Sequence, residues 1–562
     1  MPFANPSRNP APLLHLSHPD HHIPGFEVPA EASAPVRKKW LAVAAILAVG
    51  VALLGFWCEH LGEKAVAPSV PLPWVLPFVL LLAGIATMPF IAQHFWEKHY
   101  QWVSIGLGVV VAIDYVFFRH AADSIAKSLG EYVSFMYLLG SLYIVSGGIL
   151  IRVRRQATPL VNTVLLLVGA ILANVFGTTG ASMLFIRPYL RINQGHIRPY
   201  HVVFFIFIVS NLGGALTPIG DPPLFLGYLK GVPFFWVLEH CASAWVVGVG
   251  ALLAIFCLMD SLAHARQSRA PHDENDLGPA VSIFGAGNVV FITMILVGVF
   301  FQPPWRELLM AAAALGSLWT TSHRIHHENT FNFAPIKEVA LLFIGIFTTM
   351  VPALNYLSNH AHDAAFETYL RTPGQFYFLS GTLSSVLDNA PTYLTFLETE
   401  IAKIDKNLIA IATDVVKDRS RNAPNDADYA RLLTLNPERY KDPQAFRQDK
   451  QALEDAVILG LQKYHGDKVR TGKLSKDEIE VGFLLGNERL NWYIIAISLG
   501  AVFFGAMTYI GNGPNFMVKS IAENLGVQCP SFFGYVFGYS LPLLLPVLIL
   551  VWGLFLRTHA GG

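Results

Sequence analysis

Two acidic residues sit where acids are costly. Asp388 lies in Leu383-Ser-Ser-Val-Leu-Asp-Asn-Ala-Pro-Thr-Tyr-Leu-Thr-Phe396, and Asp221 in Asn211-Leu-Gly-Gly-Ala-Leu-Thr-Pro-Ile-Gly-Asp-Pro-Pro223, each within an apolar stretch of bilayer length. A carboxylate at bilayer depth costs about 2.5 to 3.5 kcal/mol on insertion scales, so such residues mark ion or proton paths. Their polar company is neutral and rich in oxygen. Asn389 and Thr392 flank Asp388, Thr217 precedes Asp221, and Thr178, Thr179 and Ser182 occupy a related stretch, with Thr508, Asn512 and Asn515 in another. Carboxylate, amide, hydroxyl and freed carbonyl oxygens together suit a hard cation. The expected ion site is therefore Asp388 with Asn389, alternating between sodium and a proton, and Asp221 is the second acidic candidate.

Each of these residues also has a purely structural reading. Asp before Pro-Pro makes a good helix N-cap with proline at the first helical position, and small hydroxyl residues let membrane helices pack closely. Asn512 occupies the place in its own stretch that Asp221 has in the other, and would cap as well, which ranks Asp221 behind Asp388.

Other chemistry lacks its residues. The chain has no H-E-x-x-H, no G-x-S-x-G and no G-x-x-x-x-G-K-[ST], so neither a hydrolase nor an ATP-driven pump is expected. The four cysteines show no ligand spacing. With 39 basic and 39 acidic side chains there is no basic field for nucleic acid. No cofactor is expected, and sodium and protons are the anticipated transported or coupling ions.

What must position these residues is a membrane fold. Hydrophobic residues make up 53% of the chain and charged ones 14%, against roughly 25% charged in soluble domains. Runs such as Trp40 to Trp57, Val75 to Ile91, Trp102 to Phe118 and Phe234 to Met259 have the length that crosses a ~30 Å core. The expected fold is all-α, with about eleven transmembrane helices and two re-entrant hairpins. Residues 1–39 read as a disordered cytoplasmic tail and 40–58 as the first span, oriented by Arg37, Lys38 and Lys39.

The hairpins follow from charge. Arg152, Arg154 and Arg155 precede the apolar segment at about 160–187, and Arg187, Arg191 and Arg198 follow it; both clusters favour the cytoplasm. A segment that enters, turns at Gly177-Thr178-Thr179-Gly180 and returns satisfies both. The stretch at about 202–229 must break at Pro218, Pro222 and Pro223, which frees peptide groups in mid-membrane. Spans are also expected at about Tyr132 to Ile151 and Val281 to Phe301.

The halves then repeat. Leu172 to Phe185 lies over Leu383 to Phe396 without a gap, and Gly214 to Phe225 over Gly505 to Phe516 with the shared string G-A-x-T-x-I-G-x-x-P-x-F. The first repeat covers 74–260; the second covers 281–397 and 491–557, with a hairpin at about 373–397 and a broken helix at about 491–518. Five spans per copy is odd, so the second copy is inverted, and such repeats set the site near midplane where discontinuous helices meet. Residues 398–490 form a charged insert with roughly 33 of the 78 charged side chains, expected as an extracytoplasmic cap.

At these residues the sequence resembles the ion transporter superfamily, on the branch of arsenite exporters, NhaD-type sodium/proton antiporters and the pigmentation P protein, with citrate and dicarboxylate carriers as further kin. Asn211 to Pro223 is similar to that branch's Asn-x-Gly-Gly-x-x-x-x-Ile-Gly-Asp string, and Asp388-Asn389-Ala390-Pro391 to its hairpin tip. The resemblance implies a homodimeric elevator-type transporter, whose moving unit holds both hairpins and both broken helices, and an ion or proton role for Asp388, Asn389 and Asp221. The long insert departs from the usual pattern, and Gly-Thr-Thr-Gly-Ala-Ser is not the Ser-Asn-Thr motif of dicarboxylate carriers.

The leading expectation is sodium/proton antiport across a bacterial-type inner membrane, with the lipid bilayer and a small inorganic cation as partners. Cation-coupled uptake of citrate or a related carboxylate is the alternative. It ranks second because a trianion wants positive charge nearby, and no Arg or Lys lies in the hairpin tips or broken cores. A non-transporting receptor built on the insert ranks third.

Overall fold

A computed structural model describes residues 34–62, 68–153, 157–265, 281–329, 331–360, 370–418 and 422–557. The chain divides into two compact units, Met1–Ala44 and Ala45–Gly562, and the candidate site lies wholly in the second. The expected tail falls almost entirely outside the described residues.

The protein is nearly all helical, as lipid demands of a backbone that must satisfy its own polar groups. Among the described residues, eight helices are long and apolar enough to cross a membrane, including Ala122–Gly147 (α4), Trp236–Ala265 (α8), Ala334–His360 (α12) and the C-terminal Phe532–Leu556. Before α4 come α1 (Ala34–Gly62), α2 (Leu76–Ile91) and α3 (Gln93–Ile113). The remaining apolar segments are short or bent: Pro199–Gly214 and Asn288–Gly298 are short, and Lys476–Gly486 meets Asn491–Met507 at 103°.

One departure from all-helix occurs between the halves. The expected spans through Ile151 and from Val281 give way to strands β1 (Leu150–Val153) and β2 (Val281–Phe284), antiparallel with Leu150 opposite Phe284. α4 stops at Gly147, and the ladder satisfies the peptide groups that follow. Arg152 lies over the Phe284 ring at 5.0 Å and pairs with Glu328 at 2.5 Å, which fixes the strands' register.

The segment Pro159–Ile192 (α5) turns back on itself. Thr158 caps its start by accepting from the Val161 N–H at 3.2 Å, and Gly177 breaks it with φ 73° and ψ 156°, a conformation closed to residues with a Cβ. Asn162 and Asn193, near its two ends, exchange amide hydrogen bonds of 2.9 and 2.8 Å. In a straight helix they would lie about 46 Å apart at 1.5 Å per residue. Asp260 of α8 secures this base, accepting from Asn162 at 2.9 Å and Tyr200 at 2.7 Å.

Next come α6 (Pro199–Ile208), α7 (Pro222–Leu229), α9 (Asn288–Gly298), α10 (Trp305–Thr320) and α11 (His323–Glu328). Helices α13 (Pro373–Val386) and α14 (Asn389–Ile401) fold against each other, Phe376 and Phe396 facing at 5.8 Å. A capping box of Thr372 and Gln375 opens α13, and Lys403 ties the end of α14 to the Leu370 carbonyl at 2.7 Å.

Between Ile401 and Asn491 the chain forms α15 (Lys406–Lys417), α16 (Asp426–Leu435), α17 (Pro443–Asp455), α18 (Lys463–Thr471) and α19 (Lys476–Gly486). These helices close over a core of their own, including Ile411, Val415, Leu432, Leu453 and Val457. α19 has two faces: Ile479 and Phe483 join that core, whereas Val481, Leu484 and Leu485 join the membrane core. Then follow α20 (Asn491–Phe504) and α21 (Gly513–Asn524). The greater part of α6 and α20, residues 202–208 and 494–504, is buried and, Ser498 apart, apolar on every side, which puts them at the centre.

Candidate ion site

Two chain breaks meet at the centre. α6 ends at Ile208 and α7 begins at Pro222; α20 ends at Phe504 and α21 begins at Gly513. Thr217 Oγ1 donates to the Asn174 carbonyl at 2.6 Å and accepts the Gly220 N–H at 3.1 Å. Thr508 does the same in the second break, donating to the Ser385 carbonyl at 2.6 Å and accepting the Gly511 N–H at 3.1 Å. Each threonine thus closes its own turn and clips it to the helix beside it.

Asp221 is fully buried and occupies the N-cap position of α7, yet its carboxylate makes no capping bond. It turns inward. Oδ1 accepts from Thr178 Oγ1 at 2.8 Å and from the Asn512 amide at 3.2 Å, and Oδ2 accepts from the Asn389 amide at 2.6 Å. These donors come from the α5 turn, the second chain break and the start of α14. No Lys or Arg bonds to Asp221 among the described residues.

Asp388 is placed differently. It is half-buried and caps α14, accepting the Ala390 N–H at 3.0 Å, while Thr392 Oγ1 donates to its carbonyl at 3.1 Å. Asn389, beside it, is fully buried, and its Oδ1 has no hydrogen-bond partner among the described residues. Thr179 is half-buried at the α5 turn and lines a small, partly open cavity together with Phe135, Leu138 and Phe225. Ser182 bonds Ser210 at 2.7 Å and does not reach Asp221.

The sequence reading missed two asparagines. Asn174 clamps the first break, donating to the Gly213 carbonyl at 2.7 Å while its Oδ1 accepts the Leu216 N–H at 2.9 Å. Asn211 bonds across to the second break, donating to Asn515 Oδ1 at 2.7 Å. A signal was available for both, since an amide in an otherwise apolar membrane run needs a partner.

Residues 67–556 match the family described as "Putative citrate transport". The chain belongs to that family. It is also similar to a protein named as an uncharacterised transporter in Mycobacterium tuberculosis strains CDC 1551 and H37Rv, with 25% identity over 315 residues covering 52% of this chain and 72% of the relative. The protein is a multi-pass membrane transporter, not an enzyme.

Within this transporter, α7 and α14 both start at Asp221's shell and end at one buried cation. Lys230, directly after α7, has its Nζ 2.8 Å from Glu398, 3.1 Å from Glu131 of α4 and 3.6 Å from Asp477 of α19. Asp477 also pairs with Lys127 of α4 at 2.7 Å. Four separate elements are joined there, the insert among them.

Proposed function

We propose that this transporter exchanges sodium for protons across a bacterial-type inner membrane, with Asp221 as the shared site. One observation carries the reading: a fully buried carboxylate, without a basic partner among the described residues, on which both turn regions and the second chain break converge. An ionised Asp221 offers two oxygens to a cation, and the unpartnered Oδ1 of Asn389 offers a third. Protonation removes the charge and one acceptor face, so sodium and a proton compete for one group.

Alternating access follows from the same arrangement. The α5 and α13–α14 hairpins and the two broken helices form an inverted repeat that moves as one unit, elevator-fashion, against α4 and α12 within a homodimer. Broken and paired segments bring the spans to about eleven, and the insert caps the extracytoplasmic face. Irregular backbone at the breaks is buried in protein, as lipid requires.

The family description favours a second reading, cation-coupled transport of citrate or a related carboxylate. α7, α14 and α21 all begin at the site, and helix N-termini carry positive partial charge that suits an anion. The purely neutral and acidic side-chain shell around Asp221 weighs against a trianion.

Purified protein in proteoliposomes loaded with a pH dye separates the two. Sodium-driven proton release without citrate, lost in Asp221→Asn, is the expected result. Citrate-dependent flux with no proton release to sodium alone would replace antiport by the second reading.

A further inference from the structure

We infer that Asn211 is a positioning residue, which orients the Asn512 amide so that its NH2 faces Asp221. The inference rests on the reading of Asp221 as the ion site. An amide side chain can face a carboxylate either way round, and only its NH2 end is attractive. Something must hold Asn512 the right way.

The hydrogen bonds trace what does so. Asn515 spends its NH2 on two backbone carbonyls, Gly505 at 2.8 Å and Thr508 at 2.9 Å, so its Oδ1 points away from them. That Oδ1 accepts from Asn211 at 2.7 Å, and the Asn211 NH2 also donates to the Ile206 carbonyl at 2.8 Å. Asn211 Oδ1 is thereby turned toward Asn512, whose NH2 reaches it, the Ser210 carbonyl and Asp221 Oδ1, each at 3.2 Å. A flipped Asn512 would set its oxygen against three acceptors.

Asn211 and Asn515 are fully buried and Asn512 nearly so, which leaves water no role in re-pairing them. The polarity is therefore fixed by backbone carbonyls of both breaks and passed through three amides to the carboxylate. Asn211 touches neither Asp221 nor, by this account, the ion. It acts through Asn512, and this distinguishes it from a residue that merely packs the core.

The test is a double-mutant comparison in proteoliposomes, reading the sodium KM, the maximal rate and the pH of half-maximal exchange. Asn211→Ala and Asn512→Ala should each raise the sodium KM about tenfold, the scale of one charge-assisted hydrogen bond, and move the half-maximal pH in the same direction. The double variant should match Asn512→Ala alone. Fully additive effects would overturn the inference, as would an Asn211→Ala protein whose KM and pH profile stay at wild type while only its yield falls. If Asn211→Ala does not reach the membrane, Asn211→Leu, which fills the same space but removes the oxygen that Asn512 needs, replaces it, and a sodium KM and pH profile unchanged from wild type would overturn the inference equally. Asp221→Asn is run beside these: exchange at wild-type rate there removes the ion site and the inference with it, whereas a dead Asp221→Asn with an unaffected Asn211→Ala removes the positioning role alone.

Discussion

The two chain breaks share a frame and differ in what fills it. Thr217 and Thr508 make the same pair of bonds with the same lengths. Gly220 and Gly511 press on matching partners: a Cβ would come within 2.1 Å of the Gly214 carbonyl oxygen at the first and 2.6 Å of the Gly505 one at the second, closer than any Cβ could sit. At matched places, however, stand Asp221 and Asn512, and at the matched turns Gly177 and Asp388. Asp221 collects donors from both turns; Asn512 points across at Asp221 instead of serving its own side. The frame repeats because it positions backbone, and the charge does not repeat because two facing carboxylates at this spacing cannot both stay ionised.

The largest effect should come from Asp221→Asn, which keeps the shape and removes the titratable oxygen. Sodium-driven proton movement should fall to background in protein that still reaches the membrane. Asp388→Asn is the matching control: Asn caps a helix about as well as Asp, so exchange should stay within roughly twofold of wild type. The reverse outcome, a dead Asp388→Asn and a working Asp221→Asn, would move the site to the tip of the α13–α14 hairpin.

Making the breaks alike is the next perturbation. Asn512→Asp would set a second carboxylate where the amide now lies 3.2 Å from Asp221 Oδ1. The pair would then hold a shared proton over a wider pH range, so sodium-driven proton release should begin at higher pH and run slower. An unchanged pH profile would mean that Asn512 does not face Asp221 in the working cycle. A smaller, structural effect is expected at Gly177, where φ is 73° and a Cβ would lie 3.2 Å from the Ile219 carbonyl oxygen. Gly177→Ala should cost about 1 to 3 kcal/mol, seen as a lowered Tm in detergent, and Asp388→Gly should not.

Much of this was legible in the sequence because charge and proline leave local marks. Arginines on both sides of an apolar run pointed to the turn at Gly177, and the prolines after Asp221 to the break. The convergence was not legible. Asn389 and Asn512 lie 168 and 291 residues from Asp221, and nothing local distinguishes an Asp that caps from one that turns inward. Asp388 ranked first because its neighbours supply oxygen in sequence; in the fold one of its two carboxylate oxygens accepts the Ala390 N–H. The strands at Leu150–Val153 and Val281–Phe284 were hidden too, since short apolar runs next to a helix carry no period that separates strand from helix.

The mildest prediction concerns the insert, whose contact with the transporter runs through Gly231 and α19. Gly231 has φ 107°, and a Cβ there would come 2.8 Å from the Glu478 Cα, so the two segments touch backbone to backbone. His465 Nδ1 lies 4.0 Å from Glu478 Oε1, with Lys468 paired to the same carboxylate. Burial pushes the His465 imidazole below its ordinary value; Glu478 and the Gly231 backbone pull it up, Lys468 presses it down, and the net shift is downward. The docked insert therefore holds His465 neutral at a pH where an undocked, solvated imidazole, near 6.5, has begun to take a proton. Undocked chain binds more protons in that window, so docking is at full strength above about pH 6.5 and weakens as pH falls toward the lowered value. Hydrogen exchange of the Lys476–Gly486 helix should accelerate between pH 7.5 and 5.5, beyond the intrinsic pH effect, by at most tenfold per pH unit for one proton. His465→Gln should remove that excess while leaving exchange of sodium for protons at pH 7.5 unchanged. An excess that persists in His465→Gln would assign the pH response to another group, and a loss of transport at pH 7.5 would tie the insert to the ion site more closely than its separate core implies.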